Sequence, residues 1–234
     1  MGIKERQERD REAVSRAILD AARELFVAEG YQNVSIRKIA ERIEYSPAAI
    51  YGYFPSKDDI FFALAEEGFR LLGDPADPAL AERLQRLGPL DRLREIFWRV
   101  YEFGLKHPQY FSLMFIDRDV PRISREYERF AFVRGMKARL VGEIQTCIDE
   151  QALPPTVNAS VACQMLTMGV LGVAAMRLSD RLGPPAQVDL LARDVLNSLL
   201  AGLKSGVALL STDAACAAEE PEPLANVSST GVVS

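Results

Sequence analysis

Apolar residues recur at helical spacing in the first part of the chain. They fall at i, i+4, i+7 and i+8, the period of one face of an amphipathic helix. Residue 30 is a glycine, the residue that most often ends a helix in a left-handed conformation. The pattern predicts a first helix over residues 13–29, with an inward face made of Ile18, Ala22, Leu25 and Phe26.

Two short helices are predicted next, each opened by a serine. Ser35 precedes "IRKIAERI", in which the isoleucines form one stripe and the basic residues point elsewhere. Ser46 is followed by Pro47, which is the combination of an N-cap and a first-turn proline. Ser56 with Asp59 is typical of a capping box and predicts a fourth helix.

Residues 13–54 therefore hold three short helices, and a tight turn joins the last two. This is the spacing of a helix-turn-helix unit, in which the last helix lies in the DNA major groove. Any small helical bundle can show the same spacing, so the spacing alone does not separate the two interpretations.

A longer pattern does separate them. The segment "GYQNVSIRKIAERIEYSPAAIYGYFPSKDDIF" resembles the DNA-binding domain of the tetracycline-repressor (TetR) family of bacterial transcription regulators, and the resemblance covers about residues 13–60. One position departs from it, because Glu44 stands at the turn where the family usually has glycine. Either this turn avoids a positive φ, or Glu44 tolerates one at some cost. The matching elements are Gly30-Tyr31, Ser35-Ile36-Arg37, Ile39-Ala40, Ser46-Pro47 and Tyr51-x-Tyr53-Phe54-x-Ser56-Lys57.

The resemblance implies a set of DNA contacts. The small residues that open the third helix let the backbone approach base edges, while Ile50 and Phe54 should face inward. Arg37 is the best candidate for a contact to guanine, and Lys57 should bind a phosphate beside exposed backbone amides. For the tyrosines the alternative is core packing, and for the cations it is a solvated face. The predicted DNA-binding residues are Ser35, Arg37, Lys38, Tyr45, Ser46, Pro47, Ala48, Ala49, Tyr51, Tyr53 and Lys57.

The charge distribution is compatible with a local DNA-binding surface. The formal net charge is −5, yet residues 1–57 contain ten Lys and Arg against nine Asp and Glu. A basic patch can bind phosphates while the rest of the chain stays acidic. The N-terminal charge run could reach a minor groove, but we expect it to be disordered; its cations are Lys4, Arg6, Arg9 and Arg11.

Helical patterns return after a Gly- and Pro-punctuated connector and continue to about residue 209, with no convincing strand alternation. We therefore predict an all-α fold: an N-terminal three-helix helix-turn-helix DNA-binding domain and a larger C-terminal helical domain. The resemblance implies that the C-terminal domain binds a small effector and dimerises. The predicted divisions are 13–72 for the DNA-binding domain, with its helix-turn-helix at 35–54, 73–211 for the second domain, and 212–234 for a disordered tail.

Aromatic and methionine side chains are dense in the second domain. Most should be ordinary core, but the resemblance implies an apolar effector cavity somewhere among them. The candidate effector-binding residues are Trp98, Tyr101, Tyr110 and Met168.

Small residues recur along the last two predicted helices, beside leucines that occupy more than one face. We expect these helices to be buried on two sides and to pair with their copies in a homodimer. The alternative is an internal helix pair. The small residues are Gly169, Gly172, Ala175, Gly202 and Gly206.

Composition argues against several other classes. Three widely spaced cysteines and one histidine, His107, disfavour a disulfide framework, a zinc site and a His-dependent triad. No secretory signal is seen, and the longest apolar run, residues 165–176, is too short for a bilayer. We expect a cytoplasmic regulator that is not an enzyme, needs no cofactor or metal, and binds an operator DNA, a second copy and a small effector but no membrane. The alternative is a helical protein-interaction domain, or an activator without small-molecule control.

Overall fold

The computed structural model describes residues 2–73, 78–121 and 131–206. Within these ranges the regular structure is helical and no strand occurs, which confirms the predicted all-α fold. The predicted disordered tail lies outside the described residues. The helices are α1 (Ile3–Glu29), α2 (Ile36–Arg42), α3 (Pro47–Tyr51), α4 (Lys57–Leu72), α5 (Pro78–Gln85), α6 (Pro89–Lys106), α7 (Pro108–Phe111), α8 (Ala131–Asp149), α9 (Ala159–Leu178) and α10 (Pro185–Lys204), with a 3₁₀ turn at Tyr31–Asn33 and a π-helical turn at Ser112–Ile116.

The first four helices close around a shared apolar centre. Ile18 and Phe26 of α1 meet Ile39 of α2 and Ile50 of α3, and all four are buried. The inward face predicted for the first helix is therefore confirmed at these two α1 positions. The start of α1 was predicted wrongly: the helix begins at Ile3 rather than near residue 13, and the N-terminal charge run is helical rather than disordered.

Helix α4 joins this small unit to the rest of the chain. Its buried residues lie on more than one face, because α1 packs on one side of it and α6 and α7 pack on the other. The buried residues form one continuous cluster that runs from Ile18 to Leu203. A domain boundary at residue 72 stays a prediction, although α4 does end there.

Helix α9 is the centre of the second half and contacts α6, α8 and α10. By length and composition it is the one helix among the described residues that could cross a membrane, with a mean hydropathy of 1.7 over its best window. The apolar run read from the sequence was shorter because the helix extends on both sides of it. A core helix passes the same test, and contacts with three neighbours fit that explanation.

The outer face of α9 and α10 carries apolar side chains with no cover in a single chain. Met168 and Leu190 are each 63% exposed, and Met176 and Leu191 are exposed as well. A Cβ added at Gly172 would meet nothing within 4 Å, whereas one at Gly169 would run into Leu199 of α10. The inner side of this helix pair is thus closely packed and the outer side is open.

Candidate nucleic-acid interface

The two helices of the candidate interface begin at capping serines. The Oγ of Ser35 accepts a hydrogen bond from the backbone N–H of Lys38 at 3.2 Å, at the start of α2. The Oγ of Ser46 does the same for Ala49 at 3.2 Å, at the start of α3. Both predicted caps are confirmed. Each satisfies a backbone donor that would otherwise lack a partner, and fixes where its helix begins.

The turn between them has the geometry of a glycine C-cap, although it contains no glycine. Glu44 has a φ of 59°, in the left-handed region. The N–H of Tyr45 donates to the carbonyl of Ala40 at 2.9 Å and that of Glu44 to Glu41 at 3.3 Å, the pair of bonds that defines a Schellman motif. Glu44 therefore tolerates a positive φ, which costs an L-residue about 1–2 kcal/mol.

Helix α3 presents one face to solvent and one to the core. Ile50 is completely buried and Phe54 nearly so, as predicted, while Ser46, Pro47 and Ala48 are exposed and Ala49 is half-buried. The helix proper is five residues long, and bonds from Tyr53 and Phe54 back to the carbonyl of Ile50, both 2.9 Å, extend it by a turn. The N-terminal end of α3 is thus exposed to solvent.

The three tyrosines around α3 differ in their surroundings. Tyr51 is 55% exposed and Tyr45 is also exposed, so both hydroxyls are accessible. Tyr53 is half-buried and packs against the core, and the guanidinium of Arg11 lies 5.3 Å from its ring centroid. The alternative of core packing therefore applies in part to Tyr53.

Lys57 is engaged within the protein. Its Nζ donates to the carbonyl of Tyr31 at 2.8 Å and lies 4.0 Å from the centroid of the Tyr31 ring. The Tyr31 hydroxyl in turn donates to Asp58. Burial lowers the pKa of Lys57, and the charge of Asp58 opposes that shift. This ammonium ties α4 to the turn after α1, so its binding of a phosphate stays a prediction.

The cations of α2 are exposed and paired. Arg37, whose side chain is 81% exposed, binds Glu41 at 2.9 Å, and Arg42 of the same helix binds Glu24 at 3.0 Å. Lys38 pairs with Glu29. Ion pairs on a surface contribute only about 0–1 kcal/mol, so each cation can turn toward a phosphate or a base at little cost.

A polar network that the sequence did not reveal joins α1 to the second half of the chain. Arg16 bonds to Asp20 and to Glu67 of α4, both at 2.6 Å. Arg23 donates to the hydroxyl of Tyr110 at 2.7 Å and to Gln109. The bonds that join α1 to α4 and α7 link residues 51 to 94 positions apart, so no local pattern indicates them.

An apolar cavity of about 320 Å³ lies between α4, the π-helical turn, α8 and α9. Lys137 is among the lining residues and is exposed. No group of three or more His, Cys, Asp or Glu among the described residues could hold a metal ion. The main apolar wall residues are Phe69, Phe115, Val133, Met136, Leu140 and Leu171.

The structure does not bring the four predicted effector residues together. Met168 lines the cavity, but Tyr110 belongs to the network with α1. Tyr101 is buried and donates to Asp189 at 2.7 Å; burial and this bond raise its pKa. Trp98 is half-buried beneath the guanidinium of Arg193, 4.1 Å away. Aromatic density did not distinguish cavity walls from packed core.

Comparison with known proteins supports the helix-turn-helix reading. Residues 18–64 match the family model described as bacterial regulatory proteins, tetR family. The HTH-type transcriptional repressor Rv1474c of Mycobacterium tuberculosis is 44% identical over 52 residues, which are 22% of this chain and 28% of that protein. The HTH-type transcriptional repressor NicS of Pseudomonas putida is 28% identical over 97 residues, 42% of this chain and 44% of the relative. The chain thus aligns with less than half the length of these curated relatives.

Solved structures extend the similarity to the fold of the second domain. FadR from Bacillus subtilis, in complex with stearoyl-CoA, has a TM-score of 0.62 at 18% identity, covering 82% of this chain and 99% of that one. The TetR family regulator PfmR from Thermus thermophilus has a TM-score of 0.58 at 19% identity, covering 78% and 93%. These TM-scores and coverages show that the fold is shared across both halves of the chain, and at identities this low the similarity concerns the fold alone.

The left-handed residue in the turn gives a first prediction. Glu44→Gly should raise the free energy of unfolding by about 0.5–1 kcal/mol, because the strain of an L-residue at positive φ exceeds the entropic cost of glycine. Glu44→Gln keeps the strain and should leave stability unchanged. Urea denaturation measures both, and equal stability of the Gly and Gln variants would show that the turn is unstrained.

Proposed function

We propose that this chain, which belongs to the tetR family of bacterial regulatory proteins, is a dimeric transcriptional repressor released from its operator by an apolar effector. The family consists of regulators, so the chain is not an enzyme. The observation that carries the proposal is that the N-terminal end of α3 is exposed while Ile50 of the same helix is buried in the core.

Recognition of DNA is supported by the shape and chemistry of this end. Pro47 and Ala48 are small and exposed, which allows the helix backbone to approach base edges and thymine methyl groups. Exposed cations on α2 and exposed tyrosine hydroxyls beside α3 can contact the sugar–phosphate backbone on either side. In this arrangement α3 enters the major groove and its neighbours set the register.

Dimerisation is supported by the outer face of α9 and α10. A helix as short as α3 reads few base pairs, and two copies on related half-sites about 34–36 Å apart double the site. The exposed Met176, Leu190 and Leu191 supply an apolar surface for the second copy. The open position at Gly172 leaves room for a partner helix to approach.

Effector control is supported by one short segment that touches both the cavity and the DNA-binding unit. Phe115 of the π-helical turn lines the cavity and meets Phe69 of α4 edge-on, with ring centroids 6.2 Å apart. In the preceding turn, Tyr110 accepts the bond from Arg23 of α1. Just after it, the carbonyl of Asp119 accepts a bond from Gln32 at 2.7 Å. A ligand that displaces Phe115 would therefore shift α1 and the 3₁₀ turn before α2.

The lining of the cavity favours an apolar effector. Its volume of about 320 Å³ lies at the lower end of the range for small-molecule sites, and its walls are almost entirely hydrocarbon and sulfur. The exposed Lys137 among the lining residues would favour an anionic head group. The complex of the B. subtilis FadR neighbour with stearoyl-CoA makes acyl thioesters the first probes to use. Such an effector must bind the DNA-free form more tightly than the DNA-bound form.

For DNA binding, the decisive change is Ala48→Glu. A carboxylate at the exposed start of α3 should repel the DNA and weaken binding at least about tenfold, or roughly 1.4 kcal/mol, without affecting folding. Fluorescence anisotropy would use a duplex that the parent protein selects from a random library. Ala138→Glu, at an exposed alanine of α8, is the matched control and should bind like the parent. Unaltered binding by the Ala48→Glu variant would contradict the role given to α3.

For dimerisation, the change is Leu190→Glu on the outer face of α10. The side chain is exposed in the single chain, so the variant should fold normally, but two buried carboxylates across a symmetric interface should separate the subunits. Light scattering should give a dimer mass for the parent and for Ala138→Glu, and a monomer mass for Leu190→Glu. A variant that stays dimeric would place the interface elsewhere.

For effector control, stearoyl-CoA should raise the melting temperature and lower DNA affinity about 5–150-fold, the span expected for allosteric coupling of about 1–3 kcal/mol. Coenzyme A alone should do neither. Leu140→Trp fills part of the cavity and should keep DNA binding while losing the response to the acyl ligand. An equal response from the parent and the Trp variant would exclude this cavity as the effector site.

A further inference from the structure

The first three turns of α1 extend beyond the core of the DNA-binding unit. The helix begins at Ile3, but the side chains of residues 4–13 are all exposed, Val14 is half-buried and Ile18 is buried. Residues 3–13 would span about 16 Å at 1.5 Å per residue. Residues 4–13 therefore add little to the core of the DNA-binding unit.

The extension is held beside α3. The Nη2 of Arg11 lies 3.4 Å from the carbonyl oxygen of Gly52, which caps the C-terminal end of α3. The same guanidinium lies over the ring of Tyr53. These contacts fix the orientation of the extension relative to α3 and leave an open groove between them.

The groove is lined by side chains suited to a sugar–phosphate backbone. Lys4, Gln7 and Arg11 follow one another at i, i+3 and i+7, so they form one stripe of donors on α1. Tyr45 and Tyr53 face them from the other wall. Two carboxylates, Glu8 and Asp10, also line the groove. Glu8 lies at i+4 from Lys4 and i−3 from Arg11, so it shares the donor stripe and opposes an anion held there.

We propose that this groove clamps the DNA backbone that borders the major groove entered by α3. The inference rests on the proposed function, because it needs α3 to lie on DNA. Tyr45 directly precedes the N-cap of α3, and Tyr53 directly follows its C-cap. A DNA strand at the edge of the major groove that holds α3 would therefore pass the opening of the protein groove. Lys4 and Arg11 then neutralise phosphates, and Gln7 and Tyr45 donate hydrogen bonds.

Helix geometry supplies a matched control for the clamp. Arg6 is exposed, is not among the residues that line the groove, and lies about 200° around the helix from Lys4. Lys4→Gln and Arg6→Gln remove the same charge, at nearly the same place in the sequence, from opposite faces of α1.

The test is the salt dependence of binding to a duplex of about 30 base pairs, with the full chain. Each neutralised phosphate contributes about −0.9 to the slope of log Kobs against log salt concentration. Lys4→Gln should make the slope shallower by about 0.9, whereas Arg6→Gln should leave it unchanged. Glu8→Gln removes a repulsive carboxylate from the groove and should tighten binding several-fold.

The outcomes distinguish the clamp from the proposed function. If the parent binds DNA with a steep slope while Lys4→Gln equals the parent, or if Arg6→Gln matches Lys4→Gln, the clamp is wrong and the proposed function stands. If the parent shows no salt-dependent binding, both are overturned. If Lys4→Gln has a shallower slope than the parent and Arg6→Gln does not, the clamp is supported.

Discussion

The structure depends on the burial of Ile50 and Phe54 beneath α1 and α2. A helix of five residues is far too short to be stable in water, because the cost of nucleation is not recovered over so few hydrogen bonds. Fully burying one large aliphatic side chain contributes about 1.5–3 kcal/mol, and Ile50 supplies one such anchor against Ile18, Phe26 and Ile39. The cap at Ser46 and the Schellman turn at Glu44 then orient the remaining face outward.

The same core explains how a ligand could act at a distance. Buried residues continue without interruption from the DNA-binding unit through α4 into the helices around the cavity. Phe69 and Phe115 both line the cavity, and their rings also pack edge-on against each other. Close-packed interiors transmit strain because they have few voids to absorb it. In the proposed function, the hydrogen bonds from α1 to Tyr110 would pass a shift of the π-helical turn to α1, whose buried side chains pack beneath α3.

Features governed by local sequence could be predicted. The serine caps, the first-turn proline and the inward face of α3 all follow from residues within one or two turns of each other, and the structure has each of them. Glu44 was left open by the sequence and turned out to occupy the left-handed region, because the two Schellman bonds fix the path of the chain whatever the side chain.

Features that depend on distant residues could not be predicted. Lys57 has the position of an exposed phosphate ligand in the sequence, but its partner Tyr31 lies 26 residues away and draws it inward. Tyr110 was a candidate for the cavity because it is aromatic, yet Arg16 and Arg23 of α1 both donate hydrogen bonds to its hydroxyl. The N-terminal charge run was expected to be disordered, but it is helical. These residues continue the helix whose later turns are anchored in the core. They therefore only extend an existing helix and do not incur the cost of nucleating a new one.

Hydrogen–deuterium exchange with and without bound operator duplex tests the central claim most directly. Without DNA, the amides of residues 50–54 should already exchange slowly because the core anchors them, although α3 is exposed on its other face. With DNA, new protection should concentrate in residues 35–57. Rapid exchange of residues 50–54 in the free protein, or protection by DNA confined to the C-terminal helices, would contradict the account.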